Sequence, residues 1–419
     1  MPPRIHVVGA GLSGLAAAVR LTQSGREVVL YEATGQAGGR CRSYHDTTID
    51  RRIDNGNHLM FSGNHAAMGY LRAIGAADTL IGPVRAEFPF LDLETGESWT
   101  LKLNPGHRQW WVLSPHRRIP GTSLLDYLGG LKFLFAGAST TVAQCFDTSR
   151  QMYRRFWEPL AVAALNTPAH EGAARLMWPV LRETFGRGEA ASRPRHVRDG
   201  LSESFIQPAL QLLKDQGATV RFNARLKNVT VEDRQVCALD FGEGPVDLGD
   251  DDVVILALPP GIVTGLLPDI QAPLGTRAIV NGHFRLPRKV NDWTPMGLIG
   301  GTAQWLFVRG DVASVTVSAA DDLADQPAEV IAEKIWPEIA RALNLGAAPL
   351  GPYRIVKEKR ATFAQTPDQV AMRPGTHTGF QNLFLAGDWT DTGLPATIEG
   401  AIRSGNAAAD AARRLVPTA

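Results

Sequence analysis

RIHVVGAGLSGLAAAVRLTQSGREVVLYEATGQAGGRCRSYH, residues 4–45, decides the architecture. The apolar run 4–8 reads as a short buried strand. Residues 12–24 read as a helix with Leu12, Leu15 and Val19 on one face and Gly25 closing its end. Residues 27–32 read as a second strand. Strand, glycine turn, helix and strand in that order open a Rossmann unit with a parallel sheet. Gly9 serves the tight turn, Gly11 lets the backbone approach a diphosphate, and Gly14 lets helix and strand pack closely. Leu12 and Ser13 begin the helix, where free amides and the positive dipole end favour an anion. Glu32, with Ala33 beside it, ends the second strand at the spacing suited to a ribose hydroxyl.

That much fits NAD or FAD. The next turn, Gly38-Gly39-Arg40-Cys41-Arg42, favours FAD. Two glycines let the chain return towards the diphosphate, and Arg40 and Arg42 carry permanently charged planar donors that can neutralise it. With this turn the chain resembles the FAD-binding family of amine oxidases and phytoene desaturases. FLAGDW, 384–389, resembles that family's second flavin motif, in which Gly387 and Asp388 approach the cofactor. PATIEG, 395–400, opens a final helix whose first residues, Thr397 and Ile398, would face the pyrimidine side of the flavin. IDNGNH, 53–58, resembles the loop beside the isoalloxazine. The resemblance places Asn55, Gly56 and Asn57 against the cofactor and lets His58 reach the substrate side. It also assigns the backbone of Val229 to the adenine and Ala257-Leu258-Pro259-Pro260 to the cavity wall.

The bulk properties agree with a sizeable enzyme core. The chain has 419 residues, 44% hydrophobic and 20% charged, with a formal net charge of +1. Such a balance implies no nucleic-acid partner. Cys41, Cys145 and Cys237 form no Cys-x-x-Cys pair, so neither a zinc knuckle nor a redox dithiol is written here, and a reducing, cytoplasmic setting is expected. No His-x-x-x-His metal spacing, no Gly-x-Ser-x-Gly elbow and no second glycine fingerprint for a nicotinamide domain occurs. The tryptophans, Trp110, Trp111, Trp157 and Trp178 among them, read mostly as core or interface anchors. SLLDYLGGLKFLFAGASTTVA, 123–143, is too interrupted to span a bilayer. It reads first as a buried helix pair, with a surface that dips into a bilayer as the alternative.

Along the chain, 82–120 alternates like strands, with a hairpin turn at 94–97, and 121–218 reads mostly helical. Consecutive strands are expected over 218–242, a buried strand over 251–260 and sheet over 276–318. An amphipathic helix broken near Pro337 is expected over 324–345, and a long helix over 396–415. The expected division is an FAD-binding domain in three parts, 1–80, 201–262 and 376–419. A substrate domain contributes a helical part, 81–200, and a sheet part, 263–375. The fold class is thus α/β: a discontinuous Rossmann-type FAD-binding domain of glutathione-reductase type with an inserted α+β substrate domain.

Over nearly its whole length the chain resembles the squalene-associated FAD-dependent enzymes of bacterial hopanoid biosynthesis, a family understood as hydroxysqualene dehydroxylases. The segments that carry this are YEATGQAGGRCRS (31–43), IDNGNHLMFSGNHAAMGYLRAIGA (53–76), FWEPLAVAALNTP (156–168) and SRPRHVRDGLSESFIQPAL (192–210). The resemblance implies reductive removal of an allylic hydroxyl, with hydride from reduced FAD and a general acid for the leaving oxygen. His58 is the first candidate for that acid and Asp54 the second. It implies a long apolar isoprenoid substrate and an external electron donor, NAD(P)H or a reductase. A peripheral contact at the inner membrane face goes with such a substrate. Three alternatives stand beside this reading: an oxidative desaturase of phytoene- or squalene-type isoprenoids, a flavin amine oxidase, and a nonenzymatic flavin-bound carrier of squalene intermediates.

Overall fold

The computed structural model describes residues 3–290 and 295–416. The expected strand–helix–strand opening is present. β1 (Arg4–Val8) and β2 (Glu27–Tyr31) lie parallel, with Ile5 opposite Val28 and Val8 opposite Tyr31, and α1 (Leu12–Gln23) connects them. Four of the five residues of each strand are buried, as befits a sheet covered on both faces. The sheet has five parallel strands in the order Thr219–Arg221, β2, β1, Val253–Leu256, Leu383–Leu385. Three separated stretches of chain therefore supply one nucleotide-type sheet.

The final helix, Ile398–Leu415, crosses α1 at very short range, which the small residues on both allow. A Cβ on Gly405 would lie 2.1 Å from the Ser13 carbonyl oxygen. Leu12, Leu15, Ala16, Val19, Ile402, Ala408 and Ala412 fill the layer between these helices and the sheet.

A second sheet of six strands runs in the order Tyr353–Phe363, Thr276–Val290, Trp305–Val317, Met296–Ile299, Glu87–Asp92, Ser98–Lys102. Its last two strands form the hairpin expected at 94–97. Of the sheet expected over 276–318, residues 291–294 lie outside the described residues. Helix Ala328–Ala342 covers this sheet with Ile331, Ile335, Trp336 and Ile339. It is continuous, so the break expected at Pro337 does not occur. Pro337 sits on the exposed side, where the carbonyl it leaves unpaired faces water while the inner face stays packed.

The stretch 121–218 is less helical than its composition suggests. Pro194–Val197 is a strand pairing with Met60–Phe61 and Leu80–Ile81. Leu124–Phe135 is one 3₁₀ helix, not a buried helix pair. Gly129 and Gly130 let it lie close against Phe146 and Trp157. Trp111 and Trp157 are core residues as expected, whereas Trp110 is exposed. Among the described residues no helix is long and apolar enough to cross a membrane.

Candidate active site

The glycine turns meet at the carboxyl end of the parallel sheet. Gly9 has φ +105°, and a Cβ there would lie 2.4 Å from the Ala257 carbonyl oxygen. A Cβ on Gly14 would lie 1.8 Å from the Gly9 carbonyl oxygen, so this turn closes only with glycine. Gly11 differs: no protein atom lies within 4 Å of its missing Cβ. It is the N-cap of α1, and no side chain caps the helix amides there. Open space over an uncapped helix start is what a diphosphate needs.

Gly38 hydrogen-bonds the Ala10 carbonyl at 2.8 Å and pairs with Gly11 in an isolated parallel bridge. The second glycine turn thus lies directly on the first. Glu32 stands at the end of β2 and accepts from the Ala10 amide at 3.0 Å and from the amide and hydroxyl of Thr34. Ala33 lies beside it, partly buried. The segment following strand Thr219–Arg221 runs along this corner, its Ala224 amide bonding the Glu32 carbonyl at 2.8 Å. Val229 is buried one strand further on, in the apolar cluster that contains Tyr31.

Arg40 reaches across the chain. Its Nη2 lies 2.8 Å from the Asp388 carboxylate and its Nη1 bonds the Ala361 carbonyl at 2.5 Å. Arg42 is exposed, and its backbone exchanges two hydrogen bonds with Asn55, which fix the 53–58 loop. Gly387 precedes Asp388, and a Cβ there would meet the Trp389 indole at 2.5 Å. Thr397 caps the final helix, its hydroxyl accepting from the Gly400 amide at 3.1 Å, and Ile398 follows in the buried first turn. Sequence reasoning missed the group that shapes this corner, Arg373. Its fully buried guanidinium donates to the carbonyls of Leu394, Trp389 and Thr390 and holds the 388–394 loop. Glu399 was missed too: its two oxygens accept from the amides of Ala66 and Ala67 at 3.0 and 2.8 Å, capping the helix after the 53–58 loop.

That loop is clamped onto the large sheet. Asn281 donates to the Asn55 carbonyl at 3.2 Å and accepts from Thr316 at 2.8 Å, and Thr316 in turn accepts from Asn57 at 3.2 Å. A Cβ on Gly56 would lie 3.4 Å from the Asn281 amide nitrogen. A small cavity below is lined by Asp54, Asn57, His58, His196, Phe307, Arg309 and Ser314. Asp54 is fully engaged. Oδ1 accepts from Ser43 at 2.5 Å and from the Leu201 amide at 2.9 Å, and Oδ2 pairs with Arg309 at 2.7 Å. Burial pushes His58 down to about 4, against the opposing pull of the Asp54 charge, so its imidazole is neutral near pH 7. Burial does the same to His196 and His283. No signal local to the sequence marks His196 or Arg309, which come to the cavity from distant strands, or His283, which bonds the lining residue Ser314 at 2.8 Å.

No cluster of metal-binding side chains occurs among the described residues. The donors suit a large anionic dinucleotide: free helix amides, a carboxylate at a strand end and an arginine over the second turn. The family described as flavin containing amine oxidoreductase matches residues 12–413. A hydroxysqualene dehydroxylase from Sinorhizobium fredii is 47% identical over 98% of this chain and 99% of its own. One from Rhodopseudomonas palustris is 48% identical over 98% of both. The crystal structure of cyclohexylamine oxidase from Brevibacterium oxydans superposes with a TM-score of 0.72 at 15% identity, covering 98% of this chain and 99% of that one.

Proposed function

The chain belongs to the flavin containing amine oxidoreductases and, within them, to the hydroxysqualene dehydroxylases, and from that premise we propose that it converts hydroxysqualene to squalene by reductive loss of the allylic hydroxyl. The observation that carries this reading is identity near one half along essentially the full length, with the two glycine turns, Glu32 and the Arg40–Asp388 pair gathered at one sheet end. The cofactor is FAD. When bound and reduced it would supply a hydride that takes the hydroxyl's place on carbon, while one proton joins the departing oxygen so that it leaves as water.

The chain's own residues bind and orient. Gly9, Gly11, Gly14, Leu12 and Ser13 present turn and amides to the diphosphate, and Gly38 and Gly39 bring Arg40 and Arg42 over it. Glu32 and Ala33 take the adenosine ribose, and Val229 the adenine. Gly387 and Asp388, with Thr397 and Ile398, hold the flavin end. Asn55, Gly56 and Asn57 form the loop facing the ring, kept in place by Asn281 and Thr316. His58 stands at the reacting side and donates its N–H to the leaving oxygen. Because its imidazole is neutral in the free protein, it gains a proton to pass on only when negative charge enters the pocket beside it. Asp54 was the second candidate acid; we assign it instead to positioning, since its two oxygens are taken up by Ser43, the Leu201 amide and Arg309.

The substrate is a long apolar isoprenoid. We further propose NAD(P)H or a reductase as electron donor, a cytoplasmic setting at the inner membrane face, and the three-part FAD domain 1–80, 201–262 and 376–419 around a substrate domain 81–200 and 263–375. Incubation with hydroxysqualene and an electron donor, followed by mass spectrometry, tests the reaction. Squalene formation that depends on the donor is the expected result; conjugated polyene from phytoene instead would make the chain a desaturase.

A further inference from the structure

We infer that the 3₁₀ ridge Leu124–Phe135, with the turn before it, is a docking surface for an anionic lipid bilayer; the inference rests on the proposed isoprenoid substrate and gives it an entry side. A 3₁₀ helix has three residues per turn, so residues three apart share a face. Here Leu125, Leu128, Leu131 and Leu134 follow at that spacing and are 72%, 59%, 51% and 47% exposed. Tyr127, Gly130 and Phe133 follow at the same spacing on the inner side. A Cβ on Gly130 would lie 3.0 Å from Trp157, and the Phe133 and Trp157 rings meet edge-on at 5.7 Å. The ridge is therefore anchored from within and apolar without. Twelve residues give it a length of about 24 Å. Phe135 at its end is 82% exposed.

The preceding 3₁₀ turn, Trp110–Leu113, packs against the ridge through Trp111, edge-on to Tyr127 at 5.1 Å, and leaves Trp110 58% exposed. Isolated surface leucines need no explanation, but a continuous apolar strip does. The charge around it selects the partner. From 103 to 135 the chain carries Arg108, Arg117, Arg118 and Lys132 against a single acid, Asp126. That acid caps the ridge through Ser123 and is paired with Arg150. Leucine, phenylalanine and tryptophan rimmed by cations is the composition of an interfacial segment on anionic lipid. No described helix crosses a membrane, so the contact is with one face.

The test is flotation of the flavin-loaded protein with vesicles of phosphatidylglycerol and phosphatidylcholine, or of phosphatidylcholine alone. The protein should float with the anionic vesicles and bind neutral ones, or anionic ones in high salt, several-fold less. Leu128→Glu/Leu131→Glu should cut binding at least about tenfold with flavin content and melting point unchanged. Absence of the wild-type protein from every vesicle fraction, or flotation of the double variant like the wild type, would overturn the inference. Turnover of hydroxysqualene in detergent reads the reaction separately. The double variant should keep it while losing turnover on vesicles. A protein that floats but leaves detergent-dispersed hydroxysqualene unchanged would refute the reaction and leave the surface standing.

Discussion

The Arg40 guanidinium and the Asp388 carboxylate meet at 2.8 Å although 348 residues separate them in the chain. The pair closes the second glycine turn onto the carboxyl-terminal motif, and burial keeps the carboxylate from water. Arg40→Ala leaves Asp388 without its partner at the flavin corner. We expect flavin affinity to fall at least about tenfold, measured by fluorescence titration of the apoprotein, with Arg40→Lys recovering part of it.

Gly11 and Gly14 separate a cradle from a packing requirement. Gly11→Ala meets no protein atom and adopts ordinary dihedrals, so the apoprotein should melt within a degree or two of wild type while flavin binding weakens. Gly14→Ala drives a methyl into the Gly9 carbonyl and should destabilise the apoprotein by roughly 3 kcal/mol or more. Thermal melts of both apoproteins check the contrast.

How much of this is legible in sequence depends on distance along the chain. The tight glycine turn before α1, the place of Glu32 at a strand end and the capped final helix are legible because each is a local steric or hydrogen-bonding demand. Asn281 and Arg309 are not legible, since their partners are set by how the large sheet lies against the loop 53–58, and neither is Arg373, whose carbonyl partners are gathered only when the 388–394 loop folds over it. The stretch 123–143 reads as a buried helix pair, and its apolar composition hides that 124–135 is one 3₁₀ helix with Leu125, Leu128, Leu131 and Leu134 exposed. Pro337 is legible as a breaker but not as a residue on a solvent-facing side.

Partial or full burial of His58, His196 and His283, and of His6, whose value burial lowers as well, makes acid stability specific. The folded-state values of His58, His196 and His283 are each pushed down to about 4, below the ordinary 6.5. Between those values the unfolded chain binds more protons than the folded one, so stability is full above about 6.5 and is lost as pH falls towards 4. Urea midpoints of the apoprotein should drop steadily across that window, and His283→Gln should flatten the slope.

Arg309→Ala strands the Asp54 carboxylate, which is 2% exposed. A loss of about 2 kcal/mol is expected, reduced from the fully buried case because Arg309 is itself partly exposed. Adding Asp54→Asn to it should restore part of the stability, which urea titration of the single and double variants reads out.

The central claim concerns the direction of electron flow. We would reduce the bound flavin anaerobically, add hydroxysqualene, follow the flavin spectrum and extract the products. The account predicts reoxidation with one squalene formed per flavin. A flavin that stays reduced, in a protein whose oxidised form is instead bleached by phytoene or squalene, would contradict it.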